Sequence, residues 1–190
     1  MKKLLLLLAG TVLVTLAVVP VAAPANPPNA QCIGTLTPGT YNNVTVPAGQ
    51  GCGISGATIT GNLTVQTNAD AEVIGSTTID GNYICNDCFF ADLHDSTVGG
   101  NYLISGELDG SDILGNTING SLQITMSSAG GFHFLIAGNN VGGNLTFNEN
   151  TGTSTIATNT IGSNLQCQNN VPAPTSFGNT AKSLKGQCPA

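Results

Sequence analysis

The stretch that decides the fold is ISGATITGNLTV, residues 54–65, because its apolar pattern returns five more times before the chain passes Cys167. Each copy follows the template Ile-x4-(Ile/Val)-x3-(Leu/Tyr)-x-(Val/Ile/Cys/Phe), with Leu93 as the one departure at the first position. The third template position recurs after 20, 19, 20, 23 and 20 residues, at Leu63, Tyr83, Tyr102, Leu122, Leu145 and Leu165. Periods of this length indicate a solenoid, in which each repeat forms one coil.

Aligned on each other, the six copies give four columns that are apolar at every position, so we expect all four to face the core. Besides the Leu/Tyr column, they are Ile54, Ile74, Leu93, Ile113, Ile136 and Ile156; Ile59, Ile79, Val98, Ile118, Val141 and Ile161; and Val65, Cys85, Ile104, Ile124, Phe147 and Cys167. Three columns lie an even number of residues apart, which suits strands and not helices. The pattern predicts an all-β, single-stranded, right-handed parallel β-helix of about seven coils.

A Gly-Asn pair, or a close variant of it, stands between the second and third columns of each copy, as in Gly61-Asn62 and Gly81-Asn82. Gly and Asn tolerate a left-handed backbone, so we expect this corner to be a tight left-handed bend. Stacked Asn side chains can also form an amide ladder along the axis of a β-structure. The Asn column is therefore predicted to be structural.

The two ends of the chain differ from the repeats. Residues 1–25 have Lys2 and Lys3, an apolar run and a small-residue stretch, the order of a secretory signal peptide, with an uncleaved anchor as the alternative. Residues 26–53 are predicted to form an N-terminal coil or cap, residues 54–167 the β-helix repeats, and residues 168–190 an irregular C-terminal cap tied by a disulfide. A cap is expected because an open end exposes unpaired strand edges.

Charge limits the possible partners of the mature chain. Removal of residues 1–25 leaves Lys182 and Lys185 as the only cations against ten acids, so the net charge is 2 − 10 = −8. Nucleic-acid binding is excluded because it requires cations that replace phosphate counterions. No other segment is apolar enough for a membrane, so the predicted location is secreted and free of the membrane after signal cleavage.

Six cysteines in an exported chain predict disulfides. Cys32 and Cys52 lie one coil apart, where stacking brings Cα atoms within bridging distance. Cys85 and Cys167 lie four coils apart and cannot pair, which leaves Cys85 with Cys88 and Cys167 with Cys188. The Cys-x-x-Cys segment also permits a redox pair or half a zinc site, although a βαβ context and a second ligand pair are missing.

Acidic residues cluster in the third and fourth copies, and Asp92 and Asp112 each precede a core position by one residue, so they should stack outward. With Glu107 and Asp109 they form a candidate calcium site, the only cofactor that the sequence suggests. The alternatives are a solvated acidic face and the paired carboxylates of a glycoside hydrolase. A polysaccharide lyase is disfavoured because the repeats contain no Arg or Lys.

The chain resembles a group of uncharacterised secreted bacterial proteins with Gly-Asn-Leu repeats. The resemblance rests on Cys32, the Val-Pro-Ala-Gly turn at residues 46–49, Cys52, the six repeats and the ending at residues 165–188. The resemblance implies a right-handed parallel β-helix, and it brings no activity with it because none is established for the group. The Cys85-Asn-Asp-Cys88 segment and the acidic coil depart from the group.

These observations predict a secreted, non-catalytic structural or surface β-helix that contacts extracellular polysaccharide or other copies of itself. One alternative is a carbohydrate-binding or carbohydrate-hydrolysing β-helix. Another is an ice-binding protein, because Thr58, Thr78, Thr97, Thr117 and Thr160 should form an outward ladder. The second row that a two-dimensional threonine array requires is missing from the sequence.

Overall fold

Residues 27–188, the part of the chain that the computed structural model describes, form 24 short strands and no helix. The nine-stranded sheet contains β1 (Ala30–Gln31), β4 (Val44–Val46), β7 (Leu63–Val65), β10 (Tyr83–Asn86), β13 (Tyr102–Ser105), β16 (Leu122–Thr125), β19 (Leu145–Asn148), β22 (Asn164–Gln168) and β24 (Ser183–Gly186). The eight-stranded sheet contains β2 (Gly34–Leu36), β5 (Gly51–Ser55), β8 (Asp70–Ile74), β11 (Phe90–His94), β14 (Asp112–Leu114), β17 (Phe134–Ala137), β20 (Ser154–Ala157) and β23 (Thr175–Phe177). The seven-stranded sheet contains β3 (Thr40–Tyr41), β6 (Thr58–Ile59), β9 (Thr78–Ile79), β12 (Thr97–Val98), β15 (Thr117–Ile118), β18 (Asn140–Val141) and β21 (Thr160–Ile161).

The chain is a parallel solenoid in which each complete coil contributes one strand to each sheet and pairs only with the coils before and after it, and the last two strands, β23 and β24, extend only the eight- and nine-stranded sheets. The all-β solenoid is confirmed, with about eight turns instead of about seven, because residues 27–53 supply more than one coil. Residues 168–188 also continue two sheets with β23 and β24, where an irregular cap was expected. None of the described residues belongs to a helix that could cross a membrane. The predicted signal peptide lies outside the described residues.

The core consists of the predicted apolar columns, with one correction. Ile74 is 38% exposed, and Val73 is buried in its place, paired with Ile54 on one side and Leu93 on the other. The turn after Ile74 is one residue longer than in the other copies, and Gly75 and Ser76 in it both have positive φ. The prediction placed the core residue five residues before Ile79, as in the other copies, but the longer turn makes this distance six. A shift of one residue in a strand turns every side chain to the other face, so the prediction selected Ile74 instead of Val73.

Gly61 and Gly81 are needed at the corner because a side chain would not fit there. The prediction of a left-handed bend at this corner is wrong. Neither Gly61 nor Gly81 is among the residues with positive φ. A Cβ atom built on Gly81 would lie 2.4 Å from the backbone oxygen of Gly61 in the coil before it. At Gly81 the two coils therefore approach each other too closely for a side chain.

Gly81→Ala is expected to lower the free energy of unfolding by about 2 kcal/mol, because the added methyl forces the two coils apart. Gly131→Ala is the matched control, since a Cβ atom there meets nothing within 4 Å and its φ is not positive. Urea denaturation of both variants measures the difference. Equal effects would show that the close approach of Gly61 and Gly81 does not limit stability.

The predicted Asn ladder is confirmed and is one of three. At the glycine corner, Asn82 donates its backbone N–H to Oδ1 of Asn62 at 2.8 Å, and Asn101 repeats the contact with Asn82. Two further columns, missed in the sequence, are buried inside the coil corners: Asn116, Asn139 and Asn159; and Ser127, Asn150 and Asn170. Each hydrogen bond contributes about 1 kcal/mol, and together the bonds fix the register of the coils.

All three predicted disulfides are present, with Cα separations of 5.7 Å for Cys32–Cys52, 5.7 Å for Cys85–Cys88 and 5.4 Å for Cys167–Cys188. The first joins the first two coils and the third ties the segment after β24 to β22. No cysteine in the described range is free. Both ends of the solenoid are therefore covalently fixed to the coil next to them.

Candidate functional site

A cavity of about 360 Å³ opens at the starts of β11 and β14, the two central strands of the eight-stranded sheet, in the coils that carry the acidic cluster. Three aromatic rings and three carboxylates dominate its lining. The lining residues are Phe89, Phe90, Asp92, Asp109, Gly110, Ser111, Asp112, Phe132 and His133. Its volume falls in the range of small-molecule sites in proteins.

One wall of the cavity comes from a loop that contains the three extra residues of the 23-residue repeat. They extend the connection between β16 and β17, and this loop supplies Phe132 and His133. Gly110, with φ of 80°, lets the loop approach, because a Cβ atom there would lie 2.5 Å from the backbone oxygen of His133. Gly131 donates its N–H to Oδ1 of Asp109 at 2.9 Å. The insertion therefore forms a loop on one face of the solenoid.

Asp92 and Asp112 stack as predicted, and a third carboxylate extends their row. Asp112 donates its backbone N–H to Oδ1 of Asp92 at 2.9 Å, and Glu72 pairs with Asp92 on the other side. Burial raises the pKa of Asp92 to about 6; the hydrogen bond from Asp112 opposes this rise, and the charges of Asp112 and Glu72 add to it. Glu72 was missed because the assignment of Ile74 to the core moved the predicted register of β8 by one residue. Glu72 stands directly before the core residue Val73, as Asp92 stands directly before Leu93.

Three of the four predicted calcium ligands line the cavity. Asp92 and Asp112 face it from neighbouring strands, and Asp109 lies in the loop between β13 and β14. Nε2 of His133 lies 3.4 Å from Oδ1 of Asp112, and both side chains are partly exposed. His133, for which the sequence analysis found no role, is thus the one basic side chain that lines the cavity among the described residues.

Glu107 does not reach the cavity, although the sequence grouped it with the other three acids. It is 1% exposed, and its Oε1 accepts hydrogen bonds from Ala91 N–H at 3.0 Å and from the Ser111 hydroxyl. Its backbone N–H donates to Oγ of Ser127, so Glu107 occupies the place in the buried polar column that Ser127 and Asn150 take in later coils.

The environment of Glu107 favours the protonated acid. Burial raises the pKa of Glu107 to about 8, against the hydrogen bonds from Ser111 and Ala91, and the charges of Asp92 and Asp109 act in the same direction as burial. Oε2 has no hydrogen-bond partner among the described residues. At neutral pH Glu107 is therefore mainly neutral, which suits a buried structural position.

Within the described residues, no three His, Cys, Asp or Glu side chains are grouped so that they could hold a metal ion. Calcium takes six to eight oxygen ligands. One oxygen of Asp92 and one of Asp109 already accept backbone N–H groups. Calcium binding by Asp92, Glu107, Asp109 and Asp112 stays a prediction.

Exposed apolar side chains surround the mouth of the cavity, and the sequence did not indicate them because aromatic residues in a solenoid are usually core. Phe89 is 41% exposed, Leu108 45% and Phe132 72%. Leu108 donates its backbone N–H to the oxygen of Phe89, so these two lie together. The only hint in the sequence is the pair Phe89-Phe90, which follows the Cys85–Cys88 segment outside every core column.

The sequence matches no family model, no curated protein and no solved structure. The resemblance to secreted bacterial proteins with Gly-Asn-Leu repeats therefore rests on the residues that suggested it. What the structure establishes is a parallel solenoid of stacked coils closed by disulfides.

Proposed function

We propose that the protein is a secreted, non-catalytic β-helical rod that serves as a structural or surface component and adheres to extracellular polysaccharide or to other copies of itself. The observation that carries this proposal is the placement of the disulfides at both ends of the solenoid. A solenoid unfolds most easily from its ends, because a terminal coil has a neighbour on one side only. Covalent closure of the terminal coils suits an oxidising exterior.

The repeated outer surface supports an adhesive role. Along the seven-stranded sheet, one row of side chains projects at the spacing of the coils, about 4.8 Å. The row consists of Thr40, Thr58, Thr78, Thr97, Thr117, Asn140 and Thr160. Polar groups at a fixed spacing, hydroxyls at every position but Asn140, can contact a repeating polymer at many points, and weak contacts of this kind add up.

A carbohydrate hydrolase is the second candidate, favoured by the stacked Asp92 and Asp112 at the cavity. Retaining glycosidases hold two carboxyl groups about 5 to 5.5 Å apart, and a raised pKa such as that of Asp92 suits a general acid. Ice binding is the third candidate, favoured by the threonine row. The residues two positions further on, such as Asp80 and Gly99, do not form a second row. Thermal hysteresis measurements test ice binding directly.

A polysaccharide panel, read for both binding and cleavage, tests the main proposal against the hydrolase. Residues 26–190 with intact disulfides are expected to co-sediment with at least one insoluble polysaccharide and to release no reducing ends. Sedimentation velocity without polysaccharide tests self-association. The matched control is protein that has been reduced and alkylated, which should lose both activities as its terminal coils open. If the protein cleaves a polysaccharide and the Asp92→Asn variant does not, the hydrolase replaces the main proposal. If the protein shows neither polysaccharide binding nor self-association, the main proposal is refuted.

A further inference from the structure

The cavity combines two kinds of lining that rarely serve the same ligand. Phe89, Phe90 and Phe132 supply aromatic surface, and Asp92, Asp109 and Asp112 supply negative charge. Phe132 is 72% exposed at the tip of its loop, where the core gains nothing from it. A solvated acidic face does not require aromatic rings, and an apolar pocket disfavours carboxylates because burial of charge is costly.

The two kinds of lining together select among ligand classes. Anions are disfavoured by the three carboxylates, and the lysines of the described range, Lys182 and Lys185, lie in the last coil, away from the cavity. A hard metal ion gains nothing from phenyl rings and finds no group of three ligands in the part of the chain that the structure describes. A cation with an apolar body uses both, since it can pair with a carboxylate while its charge or its hydrocarbon contacts the ring faces.

We propose that the cavity between β11, β14 and the loop at residues 126–133 binds a small organic cation, an ammonium group attached to an apolar or aromatic body. Asp112, which is partly exposed at the mouth, pairs with the ammonium group. Phe89 and Phe132, which both line the cavity, contact the apolar body. This site is separate from the threonine row and does not depend on the structural role of the rod.

Phenethylammonium is the probe, and its neutral and anionic analogues of nearly the same shape are the controls. Isothermal titration calorimetry on residues 26–190 is expected to give affinity in the order phenethylammonium, 2-phenylethanol, phenylacetate. The affinity for phenethylammonium should fall as salt screens the carboxylates, whereas that for 2-phenylethanol should not. Calcium is titrated in parallel. Equal affinity for the cation and the alcohol, or binding of calcium without binding of phenethylammonium, overturns the proposal.

Two variants and their matched controls locate the site. Asp112→Asn is expected to weaken phenethylammonium binding about fivefold with little effect on 2-phenylethanol, because only the charge is removed. Phe132→Ala should weaken binding of both probes about three- to fivefold. Asp80→Asn and Phe177→Ala, exposed positions outside the cavity, should leave both affinities unchanged. Phe132 is so exposed that its loss should not affect folding. Loss of binding in the control variants, or unchanged binding in both site variants, refutes the assignment.

Discussion

Ile118→Asp is expected to unfold the middle coils, with a loss of several kcal/mol in the free energy of unfolding. Ile118 is fully buried in β15 between Val98 and Val141 of the neighbouring coils, and a carboxylate there would have no cation to pair with. Each coil depends on its two neighbours, so disruption of one coil in the middle removes support from both sides. Urea denaturation followed by far-UV circular dichroism measures the loss.

The control for this experiment is Thr117→Asp, which places the same charge one residue away on the outer surface. An exposed substitution of this kind should change stability by about 0.5 kcal/mol or less. Because side chains alternate between the two faces of a strand, the contrast between the two variants reports directly on which face is the core. If both variants lose the same stability, the assignment of this column to the interior is wrong.

Mild acid is expected to stabilise the protein, with Glu107 as the main cause. The pKa of Glu107 is raised from 4.5 to about 8, so between these values the folded state holds a proton that the unfolded state has released. Stability therefore falls as pH rises through this window, by a few kcal/mol in total, and levels off above it. Melting temperatures should decrease from pH 5 to about pH 8 and change less from there to pH 9.

Glu107→Gln separates this contribution from the others. The amide keeps the shape of the protonated acid and cannot ionise, so the variant should lose most of the slope above pH 6 and exceed the parent in stability at pH 9. Asp92, with its pKa raised to about 6, supplies a smaller slope of the same sign below that pH. Glu149→Gln, at an exposed position, is the control and should keep the slope of the parent. A slope that is unchanged in Glu107→Gln would contradict the assignment.

The sequence was sufficient to predict the solenoid, because six copies of the repeat have the same pattern of buried residues. The disulfides could be predicted from the cysteine positions, because one period of the sequence corresponds to one coil. The period therefore shows which cysteines lie in neighbouring coils. The prediction from the repeat failed where a single copy departs from the others. Ile74 satisfies the template by residue type, but the longer turn at Gly75 and Ser76 shifts the strand by one position.

The cavity could be predicted only in part, because it depends on contacts between coils that no single repeat encodes. The stacking of Asp92 on Asp112 follows from the period, and that prediction is confirmed. Glu107 lies in an irregular connection, where its inward direction is decided by hydrogen bonds to Ala91 and Ser111. The position of Phe132 is decided by the fold of its loop over Gly110, which spacing along the chain does not reveal.

The loop between β16 and β17 also makes the scaffold adaptable. Its ends are held by the parallel pairing of β16 with β19 and of β17 with β20, so the register of the coils does not depend on the tip at residues 130–133. Phe132 and His133 are in this tip, whereas the acidic wall belongs to other coils. Exchange of residues 131–133 would therefore line the cavity of the same rod differently at little cost in stability, whereas Gly130 must stay, because a Cβ atom there would lie 2.7 Å from the backbone oxygen of Leu108. Residues 131–133 are thus the natural site for a grafted recognition sequence.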